Sequence, residues 1–555
     1  MTADVMPGEV DCLVLGGGIT GAGVARDAAM RGLRTVLVDS HDFASGTSHL
    51  TSKLIHGGLR YLEHCHFRLV AEGIIERDRL LNRMASNLVS PLRFVIPFEG
   101  NRFPKWLLTV CGLQLYGLSE WLRSGRRSRP LLAANLRKQY PALRPHPFGV
   151  DFWDAQTNDA RLVMATIRTA CAAGAVAHNY TNVTELARVG NGWTVRLRRE
   201  VDHHEWNIRA GVIINATGPW SPMTAERLGA EAQDLLWVKG SHLLLRRPPE
   251  FGDDAVVIQS VRDRRALWII PWETRLIIGS TESLYRGDLR DVRPDAEEVD
   301  DLFDSFSRYF ARLDFTRGDI LGAYAGVRPI VSQNGETENS LSRRHAILAD
   351  ADRRLITITG GKLTTFRKMA EQAVDCTERL LARPPPARQV RKRLRKELLW
   401  PGLSRPDVDE LVGALEKSRG RSVPSPTVIP HLVRHYGSQT STILDAIVAE
   451  PLLGETLYAG LPYCLAELGY LCETEKVWRL LDLLKRRTPL YFLADRGSLD
   501  GLSQVVEHVA PILNWSEARQ AEEMAAVVEE FRADTQAFAD HRDLQAEVPT
   551  LAAFA

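Results

Sequence analysis

Residues 10–39 read as an apolar strand, a glycine-rich turn, a helix and a second strand that ends in an acid. The turn contains Gly16, Gly18 and Gly21, and the acid is Asp39. Glycines at this spacing let backbone N–H groups at a helix N-terminus approach a pyrophosphate, and an acid at this distance accepts hydrogen bonds from a ribose. The unit predicts a dinucleotide-binding site and leaves NAD and FAD both open.

Length and composition limit the number of domains and the classes of partner. The 555 residues are too many for one hydrophobic core, so we expect about three domains. Apolar residues make up 45% and charged residues 25%, as is typical of soluble globular proteins. A net charge of +1 provides no field that recruits nucleic acid, so no polynucleotide partner is expected. The seven scattered cysteines lack CxxC pairs, which indicates reduced thiols and predicts no metal site.

The segment after Asp39 brings hydroxyl groups, cations and glycines into one stretch from His41 to His64. These residues are Ser45, Thr47, Ser48, Thr51, Ser52, Lys53, His56, Gly57, Gly58, Arg60 and Tyr61. A solvated polar loop is the alternative interpretation. The position directly after Asp39 favours a ligand site.

Two helices are predicted from the spacing of apolar side chains. Residues 66–84 have the pattern of an amphipathic helix. Residues 159–174 predict a second helix, which is capped by Asn158 or Asp159 and ended by Gly174.

The remaining elements follow from strand and breaker signals. Asn191-Gly192 between two alternating segments predicts a hairpin turn. Short apolar strands within residues 236–335 predict an antiparallel sheet. Three prolines at 384–386 predict the end of a helix and a domain boundary, and from about residue 390 the pattern is helical.

Several longer motifs resemble those of one known family. They are SKLIHGGLRYLEH at 52–64, INATGPW at 214–220, KGSH at 239–242, AGVRPI at 325–330 and TGGKLTTFRKMAE at 359–371. In this order they resemble the FAD-dependent glycerol-3-phosphate dehydrogenases of the respiratory, aerobic type. The resemblance implies FAD as cofactor, glycerol 3-phosphate as substrate and a membrane quinone as electron acceptor.

The fold class that this resemblance implies is α/β (α+β). We expect a two-dinucleotide-binding FAD fold with an antiparallel-sheet substrate domain and a C-terminal all-α domain. In such flavoproteins the strand that ends in Ala216-Thr217-Gly218 returns to the first sheet, so the FAD domain is discontinuous. The expected domains are residues 1–90, 150–235 and 336–383 for FAD binding, 91–149 and 236–335 for the substrate, and 390–555 for the helical domain.

A phosphorylated alcohol requires fixed cations, and the planar fork of arginine suits phosphate. By resemblance, His56, Arg60 and Tyr61 lie near the substrate, and Arg328 faces its C2 hydroxyl. Arg343 and Lys362 match positions on the phosphate side. Arg328 is expected to polarise the hydroxyl because guanidinium stays charged. His56 is the candidate base, since the reference pKa of histidine is about 6.5.

The predicted FAD contacts come from the same motifs. Gly360-Gly361-Lys362 opens a helix whose N-terminal N–H groups would face negative charge on the reduced flavin, with an ordinary helix cap as the alternative. The predicted cofactor-binding residues are Gly16, Gly18, Gly21, Asp39, Thr47, Ser48, Lys53, His56, Gly57, Ala216, Gly218, Gly360, Gly361, Lys362, Leu363 and Thr364.

Residues 106–122 predict an apolar helix that is short for a bilayer span. On a helical wheel its small and polar residues share one side, which leaves a wide apolar face edged by Trp106 and Trp121. The side-sharing residues are Thr109, Gly112, Ser119 and Glu120. This resembles a helix lying in a membrane interface, and a helix packed in the core is the alternative.

The N-terminus shows no secretion signal, so we expect a cytoplasmic protein that is attached peripherally to the cytoplasmic face of the inner membrane. Three rival functions stay open at this point: an oxidase that reduces oxygen, an NAD-linked dehydrogenase and a non-catalytic FAD-binding membrane sensor or adaptor. Lys485, Arg486 and Arg487 predict a solvated basic helix end. By resemblance the tail is a candidate for subunit contact, which leaves a homodimer open.

Overall fold

Two β-sheets take strands from distant parts of the chain, and a group of helices follows them. The computed structural model describes residues 5–58, 67–100, 103–118, 121–122, 125–331, 345–419, 423–495, 499 and 501–541. The strands are β1 Glu9–Leu15, β2 Thr35–Val38, β3 Leu54–Ile55, β4 Val89–Phe98, β5 Pro130–Leu132, β6 Phe148–Thr157, β7 Val176–His178, β8 Thr181–Val189, β9 Gly192–Arg199, β10 Glu205–Asn215, β11 Leu235–Arg246, β12 Ala255–Gln259, β13 Ala266–Trp272, β14 Arg275–Gly279, β15 Ser283–Leu284, β16 Ile320–Val331, β17 His345–Asp350 and β18 Leu355–Gly360. The α-helices are α1 Ile19–Met30, α2 Phe67–Arg79, α3 Phe103–Tyr116, α4 Ala133–Gln139, α5 Asp159–Ala172, α6 Ser221–Arg227, α7 Ala296–Phe310, α8 Phe366–Leu380, α9 Arg388–Leu394, α10 Arg405–Arg419, α11 Val428–Tyr436, α12 Thr440–Ala449, α13 Leu465–Thr474, α14 Leu490–Leu493, α15 Leu502–Leu513 and α16 Glu517–Thr535.

The first sheet has the strand order β17-β18-β10-β1-β2-β7, and β9 and β8 extend it as an antiparallel ribbon from β10. The pairs β1–β2, β1–β10, β10–β18 and β2–β7 are parallel. Strands of a parallel sheet are covered on both faces, which explains why β1 is buried from Val10 to Leu15. Because β10 and β18 join β1 from far along the chain, the prediction of a sheet assembled from separated segments is confirmed.

The second sheet has the order β15-β11-β14-β13-β12-β4-β6-β3, with β16 paired to β11 and β5 to β6. Neighbouring residues alternate between its faces: Leu243 and Leu245 pack in the core beside α7, whereas Leu244 packs in the core shared with the helical tail. The predicted antiparallel sheet is confirmed, and only β4 and β12 run parallel among its pairs. The predicted domain limits at 90/91 and 149/150 fall inside β4 and β6.

Both predicted helices are present. Residues 67–79 form α2, which continues as a π-helical turn at Leu80–Met84. The side chain of Asn158 caps α5 by accepting a hydrogen bond from the Arg161 N–H. The predicted hairpin turn at Asn191-Gly192 is wrong by one residue. Val189 pairs with Gly192, so the turn is Gly190-Asn191, because Gly190 takes the positive φ of +56°.

The tail after the prolines is helical, as predicted. Its first part, residues 388–399, packs on the first domain: the Arg26 guanidinium donates to the carbonyl of Leu394 at 3.3 Å, and Leu399 lies in the core beside α1. The expected start of the helical domain at 390 therefore falls inside this arm.

The prediction of a solvated basic end at Lys485–Arg487 is wrong. These residues belong to a π-helical turn, Asp482–Arg487, and all three side chains are buried and paired with acids. The prediction failed because the acids that pair with these basic residues, Glu530 and Asp42, are distant in the sequence and no local pattern shows them.

We expect Glu76→Gln to lower the free energy of unfolding by about 3 kcal/mol or more. Glu76 on α2 accepts two hydrogen bonds of 2.7 Å from Arg367 on α8, and both side chains are buried. The amide would leave part of the arginine charge uncompensated. Urea denaturation measures the change. The exposed pair Arg196–Glu185 provides the control, because Glu185→Gln should cost less than about 1 kcal/mol. Equal effects of the two substitutions would contradict the prediction.

Candidate active site at the junction of the two sheets

The glycine turn lies at the carboxyl ends of β1 and β10, where ligands bind in open α/β sheets. Gly16 donates its N–H to the Val38 carbonyl at 2.8 Å, and Gly18 caps α1. A Cβ atom at Gly21 would lie 1.8 Å from the Gly16 carbonyl oxygen, so only glycine fits there. The turn is thus packed directly against the helix that follows it.

Asp39 stands beside the turn. Its carboxylate accepts hydrogen bonds from the N–H groups of Gly17 at 2.6 Å and His41 at 2.9 Å. Burial raises the pKa of Asp39 to about 7 even though these two hydrogen bonds oppose the shift. The side chain remains half-buried rather than enclosed, which leaves room for a ribose hydroxyl to donate to it.

These observations fit an FAD molecule whose pyrophosphate lies on the turn. The close approach of Gly16 and Gly21 makes the backbone accessible, and Asp39 supplies the acceptor that a ribose requires. Ala216 lies against Gly16: a Cβ atom added at Gly16 would be 2.6 Å from the Ala216 carbonyl oxygen. Gly218 is two residues after Ala216 in the chain. The predicted residues Gly16, Gly18, Gly21, Ala216 and Gly218 are therefore brought together at one edge of the first sheet.

A cavity of about 930 Å³ is lined by residues of the second sheet, of the polar segment 47–58 and of the turn that follows β18. Its volume is in the range of sites for small molecules and cofactors. The predicted site residues in its lining are Thr47, His56, Arg328, Gly361, Lys362, Leu363 and Thr364. Leu363–Thr365 forms a short 3-10 turn that leads into α8, and residues 361–364 line the cavity. That the N–H groups at this helix end face negative charge on the flavin stays a prediction.

Arg328 lies on β16, paired with Val238 of β11, and its guanidinium lines the cavity. Nη2 donates to the Ser280 hydroxyl at 2.6 Å, and Nη1 lies 3.6 Å from a carboxylate oxygen of Glu282. A Cβ atom at Gly240 would lie 2.5 Å from Nη2, so the guanidinium rests on bare backbone. The cation is held in place by these neighbours while it still faces the cavity.

Other predicted residues have different contacts. The Lys53 ammonium is buried and donates to Asp159 at 2.6 Å and to the His49 carbonyl at 2.5 Å, away from the cavity lining. The cofactor contact of Lys53 stays a prediction. Gly57 donates to the Tyr116 hydroxyl at 2.8 Å and packs away from the cavity. The Ser48 hydroxyl accepts from the Ile19 N–H at 3.0 Å and ties the polar segment to α1. Arg60, Tyr61 and Arg343 lie outside the described residues.

Sequence reasoning missed several residues around Arg328. Ser280 and Glu282 follow an apolar strand that was predicted, but no local pattern relates them to residue 328. The KGSH motif contains His242, whose Nε2 lies 2.7 Å from the Ser52 hydroxyl and whose ring stacks on Tyr324. Burial, and then the charges of Arg328 and Lys53, lower the pKa of His242 well below its usual value, so the imidazole is neutral at pH 7.

The opposite end of the cavity reaches α3, where Lys105, Leu108, Thr109, Gly112 and Leu113 line it. One side of α3 packs inward: Trp106 is buried and donates to the Gly149 carbonyl at 2.7 Å. The helical wheel predicted Trp106 at the edge of an exposed apolar face. This prediction is wrong, because Trp106 is buried.

The other side of α3 is apolar and open to solvent. Leu108 and Leu115 of α3 are 74% and 76% exposed, and Phe103 and Leu107 of the same helix are also exposed. Beyond the end of α3, Leu118 and Trp121 are exposed as well, and Leu122 is 71% exposed. Among the described helices, none combines the length and the apolar character that crossing a membrane requires.

Two family descriptions match the chain. Residues 11–385 match the FAD dependent oxidoreductases, and residues 409–520 match the C-terminal domain of alpha-glycerophosphate oxidase. The glycerol-3-phosphate dehydrogenase of Pseudomonas aeruginosa is 34% identical over 510 residues, which cover 90% of this chain and 96% of that protein. The chain belongs to the family of FAD-dependent glycerol-3-phosphate dehydrogenases. FAD is its cofactor, and the sequence-based predictions of family, fold class and cofactor are confirmed.

Another relative and a solved structure also match most of the length of the chain. The D-erythritol 1-phosphate dehydrogenase of Brucella abortus is 33% identical over 494 residues, covering 87% of this chain and 95% of that protein. The solved structure of the Bacillus halodurans glycerol-3-phosphate dehydrogenase complexed with FAD superimposes with a TM-score of 0.76 at 26% identity. It covers 95% of this chain and 96% of that one.

We expect the affinity for FAD to weaken as pH falls from 7 to 5, by up to about tenfold per pH unit. The pKa of Asp39 is raised to about 7, so the carboxylate gains a proton in this range and loses the negative charge that strengthens its hydrogen bond from the ribose. Fluorescence titration of apoprotein with FAD at several pH values measures the effect. Asp39→Asn should bind FAD more weakly at pH 8 and show a flatter pH profile. A variant that keeps the wild-type slope would contradict the role of Asp39.

Proposed function

We propose that the protein oxidises the C2 hydroxyl of sn-glycerol 3-phosphate to give dihydroxyacetone phosphate. When bound, FAD supplies the hydride acceptor. The observation that carries the proposal is the position of Arg328, fixed by Ser280 and Glu282 in the wall of the cavity that also contains His56 and Lys362. The similarity to named glycerol-3-phosphate dehydrogenases over nearly the whole chain supports the same substrate.

In this proposal the residues of the cavity have separate chemical roles. Arg328 donates to the C2 oxygen and stabilises negative charge there, because its guanidinium stays protonated. His56 takes the hydroxyl proton; its N–H donates to the Thr364 hydroxyl at 3.1 Å, which fixes its backbone beside the turn at 361–364. That turn leads into α8, whose N-terminal end would stabilise negative charge on the bound cofactor.

The phosphate requires further cations. Lys362 lines the cavity, and Arg60 and Arg343 remain predicted partners of the phosphate on the basis of the family resemblance. Charge-assisted hydrogen bonds from such groups are worth about 1.5–3 kcal/mol each, enough to select a phosphorylated substrate over a free polyol.

We further propose a membrane quinone as the electron acceptor and peripheral attachment through α3. The exposed leucines of α3 form a face suited to the membrane interface, and the cavity extends from Arg328 to residues of the same helix. A lipid-soluble acceptor would then approach the cavity from the bound membrane. Oxygen is the alternative acceptor, and oxygen uptake compared with quinone-analogue reduction by the purified protein distinguishes the two.

A longer polyol phosphate is a second candidate substrate. The Brucella abortus relative, which is 33% identical to this chain, is named for D-erythritol 1-phosphate. Anaerobic loss of the flavin absorbance on addition of each compound compares the two substrates directly. No loss with either compound would reject both and favour a non-catalytic sensor.

We expect Arg328→Gln to slow anaerobic flavin reduction by glycerol 3-phosphate by about 100- to 1,000-fold while FAD stays bound. The reason is the loss of a charged donor that acts on the reacting oxygen. Stopped-flow absorbance measures the rate, and the flavin-to-protein ratio checks the loading.

Arg93→Gln is the matched control for this substitution. Arg93 is also a strand arginine of the second sheet, is bound to Asp254 and is 27% exposed, compared with 21% for Arg328, but it does not line the cavity. Its loss should leave the rate within about twofold. An unchanged rate in Arg328→Gln would remove Arg328 from the mechanism.

We expect the double variant Leu115→Glu and Leu122→Glu to lose at least about tenfold in affinity for vesicles of anionic phospholipid. Carboxylates at Leu115 on α3 and at Leu122, which follows this helix, oppose insertion into the interface. Vesicle co-sedimentation measures binding, and flavin reduction by substrate in solution should stay unchanged. Leu452→Glu, on an isolated leucine of the tail that is 65% exposed, should bind like the wild type. Equal binding by the double variant would exclude α3 as the contact.

A further inference from the structure

Asp42 belongs to the loop that follows β2, and the helical tail binds it. Its carboxylate is 1% exposed. Oδ2 accepts from Arg486 Nε at 2.5 Å and from Arg487 Nη1 at 2.8 Å, while Oδ1 accepts from Arg487 Nη2 at 2.8 Å. Asn179 also donates to Oδ1, at 2.8 Å. Arg487 therefore binds the carboxylate in a bidentate manner, with each of its two Nη atoms donating to a different oxygen.

The loop that carries Asp42 also holds the glycine turn. Asp39, three residues before Asp42, accepts from the Gly17 N–H at 2.6 Å. Ala44, two residues after it, donates to the Gly17 carbonyl at 3.1 Å. Both backbone polar groups of Gly17 are thus bound by residues that flank Asp42, so a shift of Asp42 would shift the turn.

The two arginines are anchored in the tail by contacts that do not involve Asp42. Arg487 Nε donates to the Glu475 carbonyl at 2.9 Å, and Nη2 donates to the Lys476 carbonyl at 3.2 Å. Arg486 Nη2 donates to Asp482 at 2.7 Å. The tail therefore holds the two guanidinium groups in place, and their contacts with Asp42 set the position of the loop that carries it.

We propose that Arg486 and Arg487 are positioning residues for FAD, which hold the Asp42 loop against the glycine turn and so slow the release of the cofactor. Neither arginine is among the predicted cofactor contacts; they act through Asp42 on Asp39 and Gly17. The inference requires FAD to lie on this turn and does not depend on the substrate or the electron acceptor. It gives the helical tail a part in cofactor retention.

The test compares Arg487→Lys with the wild type as full-length holoenzyme. Lysine keeps the charge and loses the fork, so the loop is held less firmly. Free-flavin fluorescence after dilution measures the rate of FAD release, and calorimetry of the same samples gives the unfolding temperature. We expect release at least about tenfold faster at temperatures well below unfolding. Asp39→Asn, which alters a direct ribose contact, shows the size of effect expected when the FAD site itself is damaged.

Arg275→Lys is the matched control. Arg275 also joins the tail to another part of the chain, donating to Asp495 at 2.8 Å and to the Phe492 carbonyl at 3.3 Å, but it lies on β14 in the second sheet. It should lower the unfolding temperature and leave FAD release within about twofold. If Arg487→Lys does not fold, Arg486→Lys replaces it, because that side chain is less enclosed. Wild-type release in the arginine variants, or equally fast release in Arg275→Lys, would overturn the proposal.

Discussion

Buried contacts between arginines and carboxylates determine how the separate parts of this chain fit together. Arg161 on α5 binds Glu475 of the tail through two hydrogen bonds, at 2.5 and 3.0 Å, and Arg168 adds a third at 2.9 Å. Burial alone would raise the pKa of Glu475, but the arginines outweigh it and lower the pKa to about 2. The carboxylate is therefore ionised across the physiological range. Any arrangement that separated α5 from the tail would leave these charges buried without partners, which is strongly unfavourable.

This arrangement explains how the active site can be built from distant segments. The glycine turn comes from the first residues of the chain, the turn at 361–364 from beyond the second sheet, and Arg328 from a strand of that sheet. Lys53 joins two of these parts: its ammonium binds Asp159 on α5 and lies 5.3 Å from the centre of the Trp272 ring on β13, so the cation connects α5 with the second sheet. The cavity thus has walls whose positions are set by buried charges rather than by the loops alone.

Local patterns were enough to predict the glycine turn, α1 and Asp39, because the spacing of glycines and the apolar strands on either side determine that unit. The short apolar strands within residues 236–335 likewise predicted the second sheet. The sequence could not show which side of α3 packs inward, since apolar residues occur all round it and the choice depends on contacts such as Trp106 with the Gly149 carbonyl. The predicted hairpin turn was wrong by one residue because glycines flank Asn191 on both sides, so either Gly190-Asn191 or Asn191-Gly192 could form the turn. Arg486 and Arg487 were misread because their acid partner lies 444 and 445 residues away.

That separation has a consequence for biosynthesis. A chain made from its N-terminus exposes the Asp42 loop early, and the first sheet remains incomplete until β18 has been made. The guanidinium groups that neutralise Asp42 follow much later still. Until then Asn179 and water can donate to this carboxylate, but neither arginine compensates its charge, so burial of the loop is unfavourable. We therefore expect the nucleotide site to be completed late in folding, after nearly the entire polypeptide has left the ribosome.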